Sequence, residues 1–148
     1  DAILAMPGDQ AVDLEDVWLF LHVLFETIWK YRFLYRDLSD LLSRNRTLEI
    51  HFKRILEQKV ATTEAMLRSL QARGAMVFEE TDLSALARNM MVVATYWLSF
   101  AYVRNPRHFA AAEVVAEGAY QVMSLYAPYL RGEGKALFTR LAVEYRRS

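Results

Sequence analysis

The sequence predicts an all-α fold, a single domain of about six helices arranged as an antiparallel bundle. Three observations carry this. Apolar residues recur at steps of three or four along most of the chain, the period of a helix face. Only 5 Gly and 3 Pro occur in 148 residues, too few to punctuate many short strands. Met90–Tyr102 runs without a single charge, yet falls short of the roughly 20 apolar residues a membrane-spanning helix needs. A helix apolar on all sides must be covered on all sides. The rest of the chain, and a second copy of it, should therefore pack around this rod.

Taken in order, Asp1–Met6 reads as the end of an earlier helix, and Pro7-Gly8-Asp9 as a turn. Asp13 is a good N-cap, with Asp16 at the position that closes a capping box. Leu14, Val17, Leu21, Leu24 and Ile28 form one apolar stripe, and Trp18, His22, Phe25 and Trp29 form a second beside it. This helix should run to about Ser43 with a bend near Lys30–Arg32. After the polar break Arg44–Thr47, a helix spans Leu48–Arg73 with Phe52, Ile55, Leu56, Met66, Leu67 and Leu70 inward. Its polar middle (Lys59, Thr62, Thr63) is suited to arching over a space. Gly74 occupies a C′ position. Ala75–Glu80 is a loop with a short extended stretch, and Thr81 or Asp82 caps the central helix, which ends by Asn105-Pro106. A further helix covers about Phe109–Leu130, with Pro128 kinking or ending it. Gly132-Glu133-Gly134 makes the last turn before a helix over Lys135–Arg147, with Leu137, Phe138, Leu141 and Tyr145 inward.

Composition narrows function. The 18 basic residues balance 18 acidic ones, so the chain lacks the basic footprint of a module that grips nucleic acid alone. Absence of cysteine excludes disulfides and thiolate chemistry. Asp1 opens the chain with no signal-peptide pattern, and it reads as a piece of something longer. No catalytic template is present: no Gly-rich phosphate loop, zinc helix or nucleophile elbow, so the protein is not expected to be an enzyme and no cofactor is implied. Asp37 and Asp40 have a spacing compatible with shared metal ligation, but Arg36 and Arg44 flank them, and a solvated salt-bridged face is the simpler reading.

His51 and His108 read as surface residues. His22 interrupts an aromatic stripe, and two readings stand. It is a paired core histidine, or it is the polar anchor of a ligand cavity with Glu26 as its partner and Trp18, Phe25 and Trp29 as walls. In the central helix Thr95 and Ser99 either bond their own backbone or, with Asn89, Tyr96 and Tyr102, face that cavity; Tyr96 and Ser99 are the candidates retained. Ala111, Ala112, Ala116, Gly118 and Ala119 make a small-residue face permitting close helix approach. Two chains would then meet through a four-helix interface built from Met90, Trp97, Ala111, Val115, Gly118, Val122 and Tyr126.

The string Tyr31-Arg32-Phe33-Leu34-Tyr35-Arg36-Asp37-Leu38, then Leu41-Leu42, a polar break and a long helix, resembles the C-terminal domain of tetracycline-repressor (TetR) family regulators. Within that family the match is to the subgroup labelled bacterial transcriptional repressor, C-terminal. The Arg73-Gly74 stop, the Asp82-Leu83 start and the Asn89-Met90 to Trp97-Leu98-Ser99 segment fit that subgroup's pattern over about Asp13–Leu130. The resemblance implies a cytoplasmic bacterial homodimer that senses an apolar or aromatic effector and controls operator binding by an N-terminal helix-turn-helix. On this chain residues 1–10 would be the end of the linking helix and its turn, and residues 11–148 the sensor and dimerisation domain. Met90–Tyr102 and Phe109–Leu130 would form the dimer bundle, with the Trp18–Trp29 stripe on the pocket. No helix-turn-helix is read in the chain, so operator contact would belong to a separate N-terminal part, and no membrane contact is implied. Two other readings remain: a stand-alone helical carrier of an apolar small molecule, and a helical adaptor without a pocket.

Overall fold

A computed structural model describes residues 13–107 and 109–146. The expectations for Asp1–Met6, Pro7-Gly8-Asp9, His108 and the Tyr145 side chain fall outside the described residues. Among the described residues there are seven α-helices: α1 Leu14–Lys30, α2 Arg32–Arg36, α3 Leu38–Arg44, α4 Arg46–Ala72, α5 Glu80–Arg104, α6 Ala111–Tyr126 and α7 Glu133–Arg146. A 3-10 turn, Ala127–Tyr129, follows α6.

Local chemistry sets most of these boundaries. Asp13 and Asp16 form a reciprocal capping box at the start of α1, each carboxylate accepting the other's backbone N–H at 2.9–3.0 Å. The helix expected to reach Ser43 instead breaks twice. Tyr31 (φ −105°, ψ 32°) ends α1 at the foreseen bend, and Asp37 (φ −117°, ψ 32°) separates α2 from α3, which periodicity did not indicate. Asn45 caps α4 through its side chain, accepting from the Leu48 N–H at 3.0 Å. At the other end Gly74 adopts φ 77°; its N–H reaches the Gln71 carbonyl and the Ala75 N–H that of Leu70, the two bonds of a Schellman motif.

The start of α5 differs from expectation. Glu79 is the N-cap, so Thr81 and Asp82 lie within the first turn, where negative charge favours a helix N-terminus. Glu80 there pairs with Arg68 of α4. Pro128 ends α6, and the loop before α5 has one extended contact: Met76 bridges Leu130, flanked by Val77 N–H to Tyr129 O and Arg131 N–H to Ala75 O. That bridge clamps the α4–α5 and α6–α7 connections together, with Met76 and Leu130 both buried.

The core lies where α1, α5 and α6 meet, with α4 against the far side of α5. Met90, Met91, Ala94, Trp97 and Leu98 are buried in it. The uncharged rod is not, however, covered on every side by its own chain. Val92, Tyr96, Phe100 and Val103 are 57%, 45%, 53% and 78% exposed. Their steps of four, four and three place them in one row along α5.

Of the small-residue face of α6, Gly118 and Ala119 are turned inward, whereas Ala111 and Ala112 are exposed. A Cβ at Gly118 would stand 2.6 Å from Phe25 Cε1 and 2.7 Å from Trp97 Cδ1. Close approach is used here, but between α6 and the α1 and α5 of the same chain.

Candidate functional site

Four helical segments line a partly open cavity of about 310 Å3. From α1 come Leu24, Thr27 and Ile28; from the Tyr31 break and α2 come Tyr31, Leu34 and Tyr35. The first half of α4 supplies Leu48, His51, Phe52, Ile55, Leu56 and Lys59, and α5 closes the space with Met91, Ala94 and Thr95. These α4 positions recur at three and four, so one face of one helix lines the wall over about 16 Å at 1.5 Å per residue. His51 and Tyr31 are exposed and mark the mouth, whereas Phe52, Lys59, Met91, Ala94 and Thr95 are buried. The lining is mostly apolar with a few polar groups, the composition of small-molecule sites.

Two threonine hydroxyls in or near its lining are tied to their own helices. Thr27 Oγ1 donates to the Val23 carbonyl at 2.8 Å, and Thr63, one turn beyond Lys59, donates to the Lys59 carbonyl at 2.8 Å. The Tyr35 ring meets Phe52 edge-on with centroids 5.7 Å apart. Burial pushes the Tyr35 phenol above its usual range, which keeps it protonated, and pushes the Lys59 ammonium below its own. A larger, more open cleft of about 540 Å3 lies beside the start of α1, rimmed by polar and charged residues such as Asp13, Glu15, Arg73, Arg131 and Glu133. An occupant there would stay wet, so the apolar cavity is the candidate site.

None of the seven ligand residues expected from sequence lines this cavity. Phe25 is sealed against Gly118. Trp29 packs on Phe109, centroids 5.0 Å apart, with the Arg32 guanidinium 5.1 Å from its ring. The rings of Trp18 and His22, both half-buried, meet at a 36° tilt with centroids 4.3 Å apart, and burial lowers the His22 pKa against the opposing effects of a Trp18 backbone hydrogen bond and the Glu26 charge. Glu26 is exposed, and Tyr96 belongs to the exposed row of α5. Ser99 donates to the Arg36 carbonyl at 2.8 Å and lies 3.2 Å from that of Tyr35, so its hydroxyl caps the broken end of α2. The second stripe of α1 thus faces α6 and the segment before it. The cavity takes the C-terminal part of the first stripe instead. Thr95, for which a backbone role was the favoured reading, is the helix α5 hydroxyl on the cavity. The signal that pointed here was the polar middle of α4, where Lys59 follows Phe52, Ile55 and Leu56 on the inward face.

The residues expected at a dimer interface divide similarly. Met90, Trp97, Gly118, Val122 and Tyr126 are buried within the chain, where α1, α5 and α6 pack on one another. Ala111 is exposed and Val115 half-buried. Asp37 and Asp40 pair with Arg36 and Arg44 at 3.1 and 3.2 Å, and no group of three or more metal-ligating side chains occurs among the described residues. No helix among them is long and apolar enough to cross a membrane.

Residues 1–138 match the TetR family model described as a bacterial transcriptional repressor. The chain is similar to the crystal structure of a TetR-family transcriptional regulator from Marinobacter aquaeolei VT8, with 29% identity and a TM-score of 0.84, over 98% of this chain and 69% of that one. No curated protein matches. The family is one of transcriptional regulators, not of enzymes. The chain belongs to the TetR family of bacterial transcriptional regulators, and its all-α domain is the family's C-terminal, regulatory part.

Proposed function

We propose that this domain is an effector sensor: a small, largely apolar molecule occupies the cavity between α1, α2, α4 and α5 and thereby controls DNA binding by a helix-turn-helix unit of the complete regulator. The observation that carries this is the apolar cavity itself, walled by four separate helical segments. An occupant that contacts all four changes their relative free energies, and a ligand acts on a conformational equilibrium only through such differential contacts. The five-residue helix α2 and the break at Tyr31 belong to this wall, so part of it is a short element between two chain breaks. The cavity also favours the sensor over an adaptor without a pocket.

The relay in this reading is a homodimer formed through α5. Val92, Tyr96, Phe100 and Val103 make an apolar row that water would otherwise cover, and obligate dimers bury surfaces of this kind. Ala111 and Val115 at the start of α6 border the same reading.

The sensor is tested with a neutral probe. 1-Octanol should raise the melting temperature of the 148-residue chain. Ala94→Phe, which fills the cavity from α5, should abolish that rise. Absence of any rise in the unaltered chain, or an equal rise in the filled variant, rejects the cavity as the binding site.

A further inference from the structure

The hydroxyl of Thr95 differs from its neighbours. Thr27 and Thr63 donate to carbonyls one turn back on their own helices, and Ser99 donates to the Arg36 carbonyl. The Thr95 hydroxyl makes no hydrogen bond among the described residues, although Thr95 is only 5% exposed. No buried side-chain nitrogen or oxygen among those residues is both sealed from solvent and without a partner. The Thr95 oxygen therefore borders accessible space, and the space its residue lines is the cavity. Tyr35 lines it too. Ser99, one turn beyond Thr95 on α5, reaches the Tyr35 carbonyl at 3.2 Å, so the two lining residues belong to one corner of the wall. The Tyr35 hydroxyl bonds no described residue either, and burial keeps it protonated.

The rest of the lining does not call for a charged occupant. It contains no Asp or Glu to meet a cation. Lys59 already has an interaction within the chain and is not a free cation. Resting on the sensor reading above, we infer that the effector is an uncharged molecule with a carbonyl or hydroxyl oxygen that the Thr95 hydroxyl holds, its apolar body lying against Phe52, Ile55, Leu56 and Met91. A hydroxyl donates one hydrogen bond and accepts others, so it matches either oxygen type. An apolar occupant without such an oxygen excludes water and leaves the buried hydroxyl unpaired, which disfavours it. The volume sets the scale: at about 30 Å3 for one water in the liquid, 310 Å3 accommodates on the order of ten non-hydrogen atoms. A single-ring ketone or a medium-chain alcohol meets this limit, whereas multi-ring compounds exceed it.

The test compares acetophenone with α-methylstyrene, in which a methylene replaces the carbonyl oxygen and the shape is kept. The proteins are the 148-residue chain, Thr95→Val and Thr95→Ser. By titration calorimetry, acetophenone should bind Thr95→Val about 3- to 10-fold more weakly than the unaltered chain, the range of one neutral hydrogen bond. Binding of α-methylstyrene should not weaken, and Thr95→Ser should behave as the unaltered chain does. Benzoate, similar in size but charged, should bind the unaltered chain about tenfold or more weakly than acetophenone. The infrared carbonyl band of bound acetophenone should lie below its position in hydrocarbon solvent and return to it in Thr95→Val, which a change of packing alone would not produce. A band at the hydrocarbon position in the unaltered chain, a lowered band that persists in Thr95→Val, an equal loss of both neutral probes in that variant, or tighter binding of benzoate each overturns the inference and leaves the sensor reading standing. If no probe binds, 1-octanol included, both readings fall. Should Thr95→Val not fold, Tyr35→Phe decides: a lowered band that persists there supports Thr95 as the donor, and one that is lost overturns it.

Discussion

Gly118 and Trp97 are in such close apposition that the glycine determines where the indole sits. A Cβ at position 118 would come within 2.7 Å of Trp97 Cδ1 and 2.9 Å of its Nε1. The indole uses the space to donate from Nε1 to the Val114 carbonyl at 3.0 Å, tying α5 to α6 one turn before the glycine.

Gly118→Ala is therefore expected to destabilise the fold although alanine is the better helix former. The propensity gain is about 1 kcal/mol, whereas overpacking costs about 1–3 kcal/mol, and both obstructing rings are in the core. Urea unfolding should show a lower midpoint with the slope unchanged. Gly118→Leu should fail to fold, an effect on the chain's own core and not primarily on association.

Trp97 separates packing from hydrogen bonding. Trp97→Phe keeps most of the buried ring and loses the bond to Val114, at a cost of about 1 kcal/mol. Trp97→Ala adds a cavity and should cost about 3–5 kcal/mol. Equal losses in the two variants, measured by chemical unfolding, would assign the whole effect to the hydrogen bond and contradict the packing account.

The row on α5 makes a prediction about assembly. Tyr96→Glu places a charge in the middle of Val92, Phe100 and Val103 without touching the buried face of the helix. Sedimentation equilibrium should show a dimer for the unaltered chain and, for the variant, association weakened by about 2 kcal/mol or more. The far-ultraviolet circular dichroism spectrum should be unchanged.

His22 predicts a pH dependence of stability. Burial holds its folded pKa below the ordinary histidine value of 6.5. Between the folded and unfolded values the unfolded chain binds more protons, so stability falls as pH drops below 6.5 and levels off once pH is under the folded pKa. Replacing His22 with Gln should flatten the dependence just below pH 6.5, read as urea midpoints at several pH values. A slope of the same size in both proteins would place its origin elsewhere.

Much of the architecture can be read from local pattern. The Asp13–Asp16 box, the Asn45 break, the Gly74 stop and the Pro128 termination each depend on a few neighbouring residues, and each fell close to its expected position. Asp37 did not, because the break that separates α2 from α3 is supported by Ser99, 62 positions further along, whose hydroxyl takes up a carbonyl at the end of α2. The site was harder to read for a related reason. Two apolar stripes adjoin on α1, and periodicity says that both are covered without saying by which neighbour.

The chain's own pattern determined that it is helical, that α1 and α5 are central, and that the inner face of α4 carries a polar interruption at Lys59. Its quoted motifs also led to the TetR family. Tertiary structure decided what those faces meet: the aromatic stripe of α1 and Gly118 serve the core, while Leu24, Ile28 and the first half of α4 surround the cavity. The physical reason is that helix-forming tendencies and caps act over one or two turns, whereas a cavity is the volume left between elements distant in sequence.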